Sequence, residues 1–572
     1  MPSKEENARN GLPETDWHDA QYDMLYLPVT ETVRYHYDFN GNRTATILPD
    51  GRQINYLYYG SGHLHQISLD DEVITDIERD KLHREIYRTQ GKLASRYELD
   101  PLGRLKRQIA TLNDLTEGGK GKTKVAAGYG QTAVKRSYGY DRTGNLTHST
   151  DRRTGTTRFE YDKLGRITQA GNELFAFDPA HNILSDGLNA VTDNRLKTYN
   201  GTTYYYDDLG NLIHRELADG EVQNYFYDLH DQLVKAEIFK KDGTKETWSY
   251  TYDALGRRIG KGRLKNEEVS ETSFPHGLSG NDLEDQTRFV WDGSHLLQEV
   301  YLDGGRYTYI YTNPSSYEPL AQVRDWTNEE GENRQETNYF HCDHIGIPRE
   351  MTDKDGNLLW FGNYTGWGRL KEETRVTDSA YQPFRLQNQY ADRETGLHYN
   401  FFRYYEPDAG RFVNQDPSGL WGGENFYQFA ENVTGWIDPY GLARQRKARQ
   451  IQWCLCKEEM EAIKKEKGLV PIIDKNGKRS KRPIWVTDLS IKPVPWNPSS
   501  ENYFVKITLD DDKGAKILDS VTNIEDVDGK ETACPGGVLV KSNEQGAKGI
   551  GRNLIDKLNA HIVKIETGMR RR

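Results

Sequence analysis

Residues 138–146 read YGYDRTGNL, and residues 159–167 repeat the same pattern as FEYDKLGRI. In both stretches aromatic residues alternate with other residues, so their rings fall on one face of a β-strand. An Asp-x-x-Gly turn follows, in which the aspartate side chain caps the turn and the glycine takes a positive φ. The next apolar residue begins a return strand. The unit therefore predicts a β-hairpin.

The same unit recurs throughout the first 300 residues. Its clear copies have turn aspartates at Asp38, Asp100, Asp141, Asp162, Asp207 and Asp253, and weaker copies begin at Phe175, Tyr225 and Phe289. Many copies follow one another at about 20 residues or roughly twice that, a period typical of stacked supersecondary units. We therefore expect a long sheet of successive hairpins, with the aspartates acting as turn formers and not as catalytic acids.

The composition agrees with an aromatic β-protein of more than one domain. The chain has 572 residues, too many for one ordinary core, and its 36 Tyr, 11 Trp and 53 Gly favour strands joined by frequent turns. Four cysteines provide no disulfide framework. The first residues lack the apolar stretch of a signal peptide, and no run of 18 apolar residues predicts a membrane span.

Charge divides the chain into two parts. Residues 443–572 carry 26 Lys and Arg against 18 Asp and Glu, a net charge of +8. Residues 1–442 carry 50 Lys and Arg against 69 Asp and Glu, a net charge of −19. A basic region behind an acidic body indicates two different roles, and a basic region is suited to meeting a polyanion.

The repeats resemble the YD repeats of the Rhs family and of the C components of bacterial Tc toxins. The resemblance implies a mainly β fold over residues 1–383, in which a ribbon of hairpins spirals into a hollow shell around an enclosed polypeptide. It also implies a longer protein, whose missing N-terminal part engages a type VI-like secretion machinery.

Residues 384–442 contain the most specific motif, a tandem of Asp-Pro-x-Gly-Leu at Asp416–Leu420 and Asp438–Leu442. Proline and glycine are expected to hold each copy in a tight, exposed turn. Two carboxylates brought close together share a proton, so one is a base and the other an acid. Such a pair activates water against a peptide bond.

The segment is similar to the end of the Rhs core, which in the family cuts its own chain directly after the second copy. The resemblance therefore implies an aspartic-type autoprotease with Asp416 and Asp438 as the acid/base pair. Arg411 is a further candidate, for orientation or charge balance. The implied scissile bond joins Leu442 to Ala443.

A second cluster, His341, Cys342, Asp343 and His344, has residue types that bind zinc. The four residues are too compressed for an ordinary tetrahedral site, and no second pair follows at zinc-finger spacing. We expect no metal there.

Residues 443–572 predict a small α+β domain. Its expected helices lie at 457–467 and 550–560, and its expected strands lie at 451–456, 484–487, 503–509, 537–540 and 561–565. Its strand order and the sequence from Trp485 to Thr487 resemble an ADP-ribosyltransferase. That resemblance implies NAD as cofactor, a nicotinamide pocket lined by Trp485 and Thr487, and Glu544 or Glu566 as the glutamate that stabilises the oxocarbenium ion.

A nuclease acting on RNA or DNA is the alternative, because the net charge of +8 suits a polyanionic substrate. A catalytic pair of Cys454 or Cys534 with His561 is a further alternative for this region. For the whole chain, the remaining alternative is a surface interaction protein without activity. This domain follows the cleavage segment, where members of the family carry a toxin. The resemblance therefore implies a toxin with a cognate immunity protein. The same resemblance implies that it is made in the bacterial cytoplasm, exported, and directed at a macromolecule in the cytoplasm of a recipient cell.

Overall fold

A computed structural model describes residues 31–60, 62–112, 132–184, 191–265, 282–377, 380–442, 445–446, 449–455, 484–488, 502–509, 547–550 and 562–570. These residues form antiparallel β-structure with two short 3-10 turns, and no α-helix occurs among them. The mainly β expectation is confirmed. Within the same ranges there is no helix with the length and hydropathy needed to cross a membrane.

The first large sheet has 13 strands, each hydrogen-bonded to the next along the chain. They are β1 (Arg34–Tyr37), β2 (Arg43–Ile47), β3 (Gln53–Tyr59), β4 (His63–Leu69), β5 (Glu72–Arg79), β6 (Glu85–Gln90), β7 (Leu93–Leu99), β8 (Leu105–Leu112), β9 (Thr132–Tyr140), β10 (Leu146–Asp151), β11 (Gly155–Tyr161), β12 (Ile167–Ala170) and β13 (Glu173–Leu174). A short hairpin of β14 (Ala176–Phe177) and β15 (Ile183–Leu184) follows.

The second large sheet has 15 strands in the same consecutive order. They are β16 (Thr198–Tyr199), β17 (Thr202–Tyr206), β18 (Leu212–Glu216), β19 (Val222–Tyr227), β20 (Leu233–Phe239), β21 (Lys245–Tyr252), β22 (Arg258–Leu264), β23 (Leu283–Asp292), β24 (His295–Tyr301), β25 (Arg306–Tyr311), β26 (Pro319–Thr327), β27 (Asn333–Cys342), β28 (Pro348–Asp353), β29 (Leu358–Tyr364) and β30 (Leu370–Arg375). The predicted ribbon of hairpins is therefore present.

Each repeat turn is built by its aspartate, as predicted. Asp162 Oδ1 accepts hydrogen bonds from the backbone N–H groups of Leu164 and Arg166 at 2.9 and 3.0 Å. The Arg166 Nε group donates to the other carboxylate oxygen at 2.6 Å, and Gly165 has φ +82°. The aspartates of the repeats therefore form turns, as expected.

The residue after the turn glycine also links one turn to the next. Arg166 Nη1 donates to the backbone oxygen of Asp178 at 3.1 Å, and Arg257 Nη1 donates to that of Gly293 at 3.1 Å. Where the residue is asparagine, Asn211 Nδ2 donates to Asp231 Oδ1 at 2.7 Å. This contact accounts for the Asn or Arg that follows glycine in the repeat.

The two large sheets pack against each other. Buried side chains of the first sheet, such as Ile54 and Ile67, share a core with Val290 and Ile310 of the second. Turns of the two sheets also meet through the backbone, since the Lys92 N–H, between β6 and β7, donates to the Lys354 oxygen, between β28 and β29, at 2.7 Å. Strands far apart in sequence thus become neighbours, as expected for a ribbon that turns back along itself.

Residues 380–442 pack onto the aromatic face of the second sheet. They include β31 (Tyr390–Ala391), β32 (His398–Asn400), β33 (Arg403–Glu406) and β34 (Arg411–Phe412), which form one sheet, and β35 (Trp436–Ile437), which pairs with β36 (Gln445–Arg446). Arg258 of β22 makes a buried two-bond ion pair with Asp392 at 2.5 and 3.0 Å. Buried charge therefore helps to fix this segment against the shell wall.

Five further strands form a separate sheet in the order β40-β38-β37-β39-β41. They are β37 (Arg449–Leu455), β38 (Ile484–Asp488), β39 (Asn502–Leu509), β40 (Ala547–Ile550) and β41 (Ile562–Arg570). Strands were predicted near four of these positions. The two helices predicted for this region, at 457–467 and 550–560, lie almost entirely outside the described residues.

Candidate active site

The first Asp-Pro-x-Gly-Leu motif forms a tight turn capped by its own aspartate. Asp416 Oδ1 accepts hydrogen bonds from the Ser418 backbone N–H at 2.8 Å and from the Ser418 hydroxyl at 2.6 Å. The Gly419 N–H donates to the Asp416 backbone oxygen at 2.9 Å, and Gly419 has φ +61°. Although Pro417 is exposed, the Asp416 carboxylate is turned inward and buried.

The second motif has the same design in a deeper position. The Leu442 N–H donates to Asp438 Oδ1 at 3.1 Å, and Gly441 has φ +65°. The Asn400 side-chain amide donates to the Asp438 backbone oxygen at 2.9 Å. Tight turns were predicted correctly, but the expectation that both are exposed is wrong here. Asp438, Pro439 and Gly441 are buried because they dock beside β32 and β33.

One arginine joins the two aspartates. Arg403 Nη2 lies 3.0 Å from Asp416 Oδ2 and 3.6 Å from Asp438 Oδ2, so both carboxylates lie beside a single nitrogen. All three side chains are at most 3% exposed. Burial lowers the pKa of Arg403 to about 10, while the charges of Asp416 and Asp438 oppose that shift. The guanidinium is thus still a cation at neutral pH.

The rest of the Arg403 side chain is held by backbone oxygens. Its Nε group donates to the Gly441 oxygen, and its Nη1 group donates to the Phe426 oxygen at 2.9 Å. The cation is therefore attached to the second motif through both Asp438 and Gly441. These contacts position the two motifs relative to each other.

The predicted cleavage residue lies at the centre of this arrangement. The Leu442 carbonyl oxygen is 3.3 Å from the Ser418 hydroxyl, and the Leu442 N–H is bound by Asp438. Gly422 closes the other side, since a Cβ placed there would lie 2.0 Å from Asp416 Oδ2 and 2.8 Å from the Leu442 oxygen. Ala443, on the far side of the predicted scissile bond, lies outside the described residues.

Two residues of this site were not predicted from sequence, Arg403 and Ser418. Arg403 could have been found by a physical argument, because two buried carboxylates require a nearby cation. The sequence does not indicate which arginine supplies that cation. Ser418 occupies the variable position of its motif. Its hydroxyl lies within hydrogen-bonding distance of Asp416 in its own motif and of the Leu442 oxygen in the second motif.

Arg411 was the arginine predicted for this role, and the structure places it elsewhere. Its Nη1 group donates to Asn182 Oδ1 at 3.1 Å, its Nη2 group donates to the Asn194 oxygen, and its guanidinium lies 4.8 Å from the Tyr427 ring centre. These contacts fasten β34 to the region of the β14–β15 hairpin. Arg403, and not Arg411, lies beside Asp416 and Asp438.

The four residues of the zinc-like cluster have separate partners. His341 Nε2 is 3.0 Å from the Thr352 hydroxyl, and His344 Nε2 is 2.9 Å from the Thr434 oxygen. The Cys342 thiol contacts the Pro319 oxygen at 3.4 Å, and Asp343 Oδ1 accepts turn N–H groups as in the repeats. Among the described residues no group of side chains is arranged to hold a metal ion.

The toxin-site residues predicted for the C-terminal region fall on different strands. Trp485 and Thr487 lie in β38, opposite Gly549 and Ala547 of β40, whereas Glu566 lies in the edge strand β41 opposite Lys506. Two strands, β37 and β39, separate β38 from β41. At about 4.8 Å per strand, the backbones are roughly 14 Å apart. Glu544 lies outside the described residues.

Two family models match the chain within the repeat region. The model described as "RHS protein" matches residues 338–374, and the model described as "Teneurin YD-shell" matches residues 122–270. The first match includes strands β28 and β29 of the second large sheet, and the second match includes strands of both large sheets and the β14–β15 hairpin between them.

Curated relatives match most of the chain. Double-stranded DNA deaminase toxin A of Burkholderia cenocepacia is 39% identical over 72% of this chain and 29% of its own length. Toxin protein Tse5 of Pseudomonas aeruginosa is 31% identical over 72% of this chain and 34% of its own length. The probable deoxyribonuclease RhsB of Dickeya dadantii is 28% identical over 75% of this chain. The chain thus spans about a third of the length of the first two relatives.

Solved structures support the same architecture. The crystal structure of TcdB2-TccC3-TEV aligns with a TM-score of 0.52 and 18% identity, covering 75% of this chain and 22% of that chain. At this identity the likeness concerns the fold alone, which is the shell of consecutive antiparallel strands described above. The family models and the curated relatives together show that the chain belongs to the Rhs/YD-repeat family.

Proposed function

We propose that residues 384–442 cut the chain after Leu442 and thereby release residues 443–572. The observation that supports this is the convergence of Asp416, Asp438 and Leu442 around Arg403. Two motifs separated by about 20 residues in sequence place their carboxylates at one buried cation and beside the peptide that would be cut. A purely structural pair of turns does not require that arrangement.

The chemistry is that of an aspartic-type acid/base pair. One carboxylate takes a proton from water as the water attacks the Leu442 carbonyl carbon, and the other supplies a proton to the carbonyl oxygen. Arg403 Nη2 lies beside both carboxyl groups and stabilises the negative charge of the one that acts as the base. A nearby cation acts more strongly in a buried site than it does in water. Asp438 also fixes the peptide by binding the Leu442 N–H.

Asparagine substitutions test this proposal with little change of shape. On a denaturing gel the wild-type chain is expected to appear as two fragments, whereas Asp416→Asn and Asp438→Asn should remain whole. Asp408→Asn is the matched control, because Asp408 is exposed and pairs with Arg369 at the surface. Equal cleavage of the wild type and both variants would remove the aspartates from the mechanism.

We further propose that the released fragment is an antibacterial toxin, delivered into a recipient cell while the shell protects the producing cell. The relatives whose names state an activity point in this direction, one a DNA deaminase toxin and another a probable deoxyribonuclease. None of the matches reported above covers more than 75% of this chain, so the fragment need not share their chemistry. A cognate immunity protein is the expected partner, acidic to match the net charge of +8.

Two chemistries are proposed for the fragment. The first is ADP-ribosyl transfer from NAD, which is supported by the presence of the strands predicted at 484–487 and 503–509 in one sheet, as β38 and β39. The second is cleavage of RNA or DNA, which the basic charge and the deoxyribonuclease relative favour. Both require a target in the recipient cytoplasm and export by a secretion machinery of the type VI kind.

One assay separates the two chemistries. The fragment, purified from the cleaved full chain, is incubated with labelled NAD, total RNA, plasmid DNA and bacterial lysate. Transfer of label to a protein or nucleic acid supports the transferase. Degradation of RNA or DNA without NAD supports the nuclease. If neither label transfer nor degradation is observed, both chemistries are excluded.

A further inference from the structure

The hydroxyl of Ser418 lies between two oxygens of the candidate active site. It is 2.6 Å from Asp416 Oδ1 and 3.3 Å from the Leu442 carbonyl oxygen. The first distance is that of a short hydrogen bond between a carboxyl oxygen and a hydroxyl. A hydroxyl is both a donor and an acceptor, so it can receive a proton from one side while it gives one to the other.

The turn of the first Asp-Pro-x-Gly-Leu motif fixes the position of Ser418. Its backbone N–H is bound to the same carboxylate oxygen at 2.8 Å, so main chain and side chain approach Asp416 together. The opposite oxygen, Asp416 Oδ2, is held by Arg403 at 3.0 Å. The carboxyl group therefore presents Oδ1 to the serine and Oδ2 to the cation.

We infer that Ser418 relays a proton from Asp416 to the carbonyl oxygen of Leu442 during self-cleavage. This inference rests on the proposed cleavage after Leu442 and assigns the two aspartates different parts in it. Asp416 is the acid, because it reaches the carbonyl oxygen through the hydroxyl. Asp438, which binds the N–H group of Leu442, is the base that takes a proton from water.

The steps balance as follows. Water oxygen bonds to the Leu442 carbonyl carbon, and a water proton passes to the Asp438 carboxylate. The carbonyl oxygen takes the Ser418 proton while Ser418 takes the Asp416 proton, which leaves a neutral diol on carbon. The bond from that carbon to the following nitrogen then breaks. Asp438 returns its proton to the nitrogen, and a diol proton returns through Ser418 to Asp416 as the new carboxyl group forms.

A matched pair of substitutions tests the relay. Threonine keeps the hydroxyl, whereas valine has almost the same shape without it. The full-length chain is made by cell-free translation, and the uncleaved fraction is followed over time on a denaturing gel. We expect Ser418→Thr to cleave within about tenfold of the wild-type rate and Ser418→Val to cleave about 100-fold more slowly, as for loss of one proton-transfer group.

Equal rates for the threonine and valine variants, whatever their value, would overturn the relay. Asp416→Asn and Asp438→Asn, measured in the same assay, show whether the cleavage proposal itself holds. If these asparagine variants stay whole while threonine and valine variants cleave equally fast, only the relay falls. If the asparagine variants cleave like wild type, the proposed cleavage mechanism fails and the relay with it.

Discussion

Arg403 Nη2 lies 3.0 Å from Asp416 Oδ2 in an ion pair that is almost completely withdrawn from solvent. The same nitrogen approaches Asp438, so one cation balances two buried carboxylates. Removing one partner of a buried charge cluster is costly, because the groups left behind have lost their solvation as well as their counterion. Arg403 is therefore expected to contribute both to the stability of the fold and to the candidate site.

Replacing this cation is expected to destabilise the chain and to stop cleavage. Arg403→Met should cost about 3 kcal/mol or more and should lower the melting temperature measured by near-ultraviolet circular dichroism. The matched control is Arg369→Met, which breaks the exposed pair with Asp408 and should cost less than about 1 kcal/mol. Equal losses for the two variants would show that Arg403 carries no special share of the stability.

Gly422 is expected to tolerate no side chain. A Cβ at this position would meet Asp416 Oδ2 at 2.0 Å and the Leu442 oxygen at 2.8 Å, so Gly422→Ala must move the carboxylate or the peptide. Cleavage should fall at least tenfold while the shell stays folded. Gly435→Ala is the control, since its Cβ would have its nearest neighbour, Asn432 Oδ1, at 3.5 Å. Unchanged cleavage in Gly422→Ala would mean that the site is looser than described.

The repeat turns allow a test of backbone conformation alone. Gly165 has φ +82° with no atom within 4 Å of a Cβ, so Gly165→Ala adds no clash. Its cost should be about 1 kcal/mol, from the left-handed conformation. Gly165→Asn should cost less because asparagine adopts that conformation more readily. The melting temperatures of the two variants check the order, and a more stable alanine variant would contradict it.

A buried histidine predicts a dependence of stability on pH. Burial, together with the nearby charges of Arg136 and Arg88, lowers the pKa of His341 to about 3. In the unfolded chain the residue takes up a proton below about pH 6.5. The unfolded state then binds more protons than the folded state, so this residue removes stability as the pH falls from 6.5 towards 3.

The measurement compares wild type with His341→Gln. Melting temperatures between pH 7 and pH 4 should fall less steeply in the variant, which lacks the titrating group but retains a side chain able to bond Thr352. Parallel curves for the two proteins would show that His341 does not contribute to the acid sensitivity.

The hairpins are predictable from sequence because their chemistry is local. Asp162, Gly165 and Arg166 all act within five residues, so the spacing of residue types specifies the turn. The two Asp-Pro-x-Gly-Leu turns follow for the same reason. Their burial does not, because it depends on how β32 and β33 dock against them.

The choice between Arg403 and Arg411 shows where local reasoning ends. Both arginines belong to the same segment, and either has the charge that two aspartates require. Only the path of the chain through β33 and β34 decides that Arg403 faces Asp416 and that Arg411 faces Asn182. Contacts between the two large sheets, such as Lys92 with Lys354, are likewise absent from any local pattern.

The masses of the purified wild-type protein under denaturing conditions test the central claim most directly. Two species are predicted, whose intact masses match residues 1–442 and 443–572, with Ala443 as the new N-terminal residue. A single species with the mass of the whole 572-residue chain, or a break at any other bond, would contradict the assignment of Asp416, Asp438 and Leu442 to a self-cleavage site.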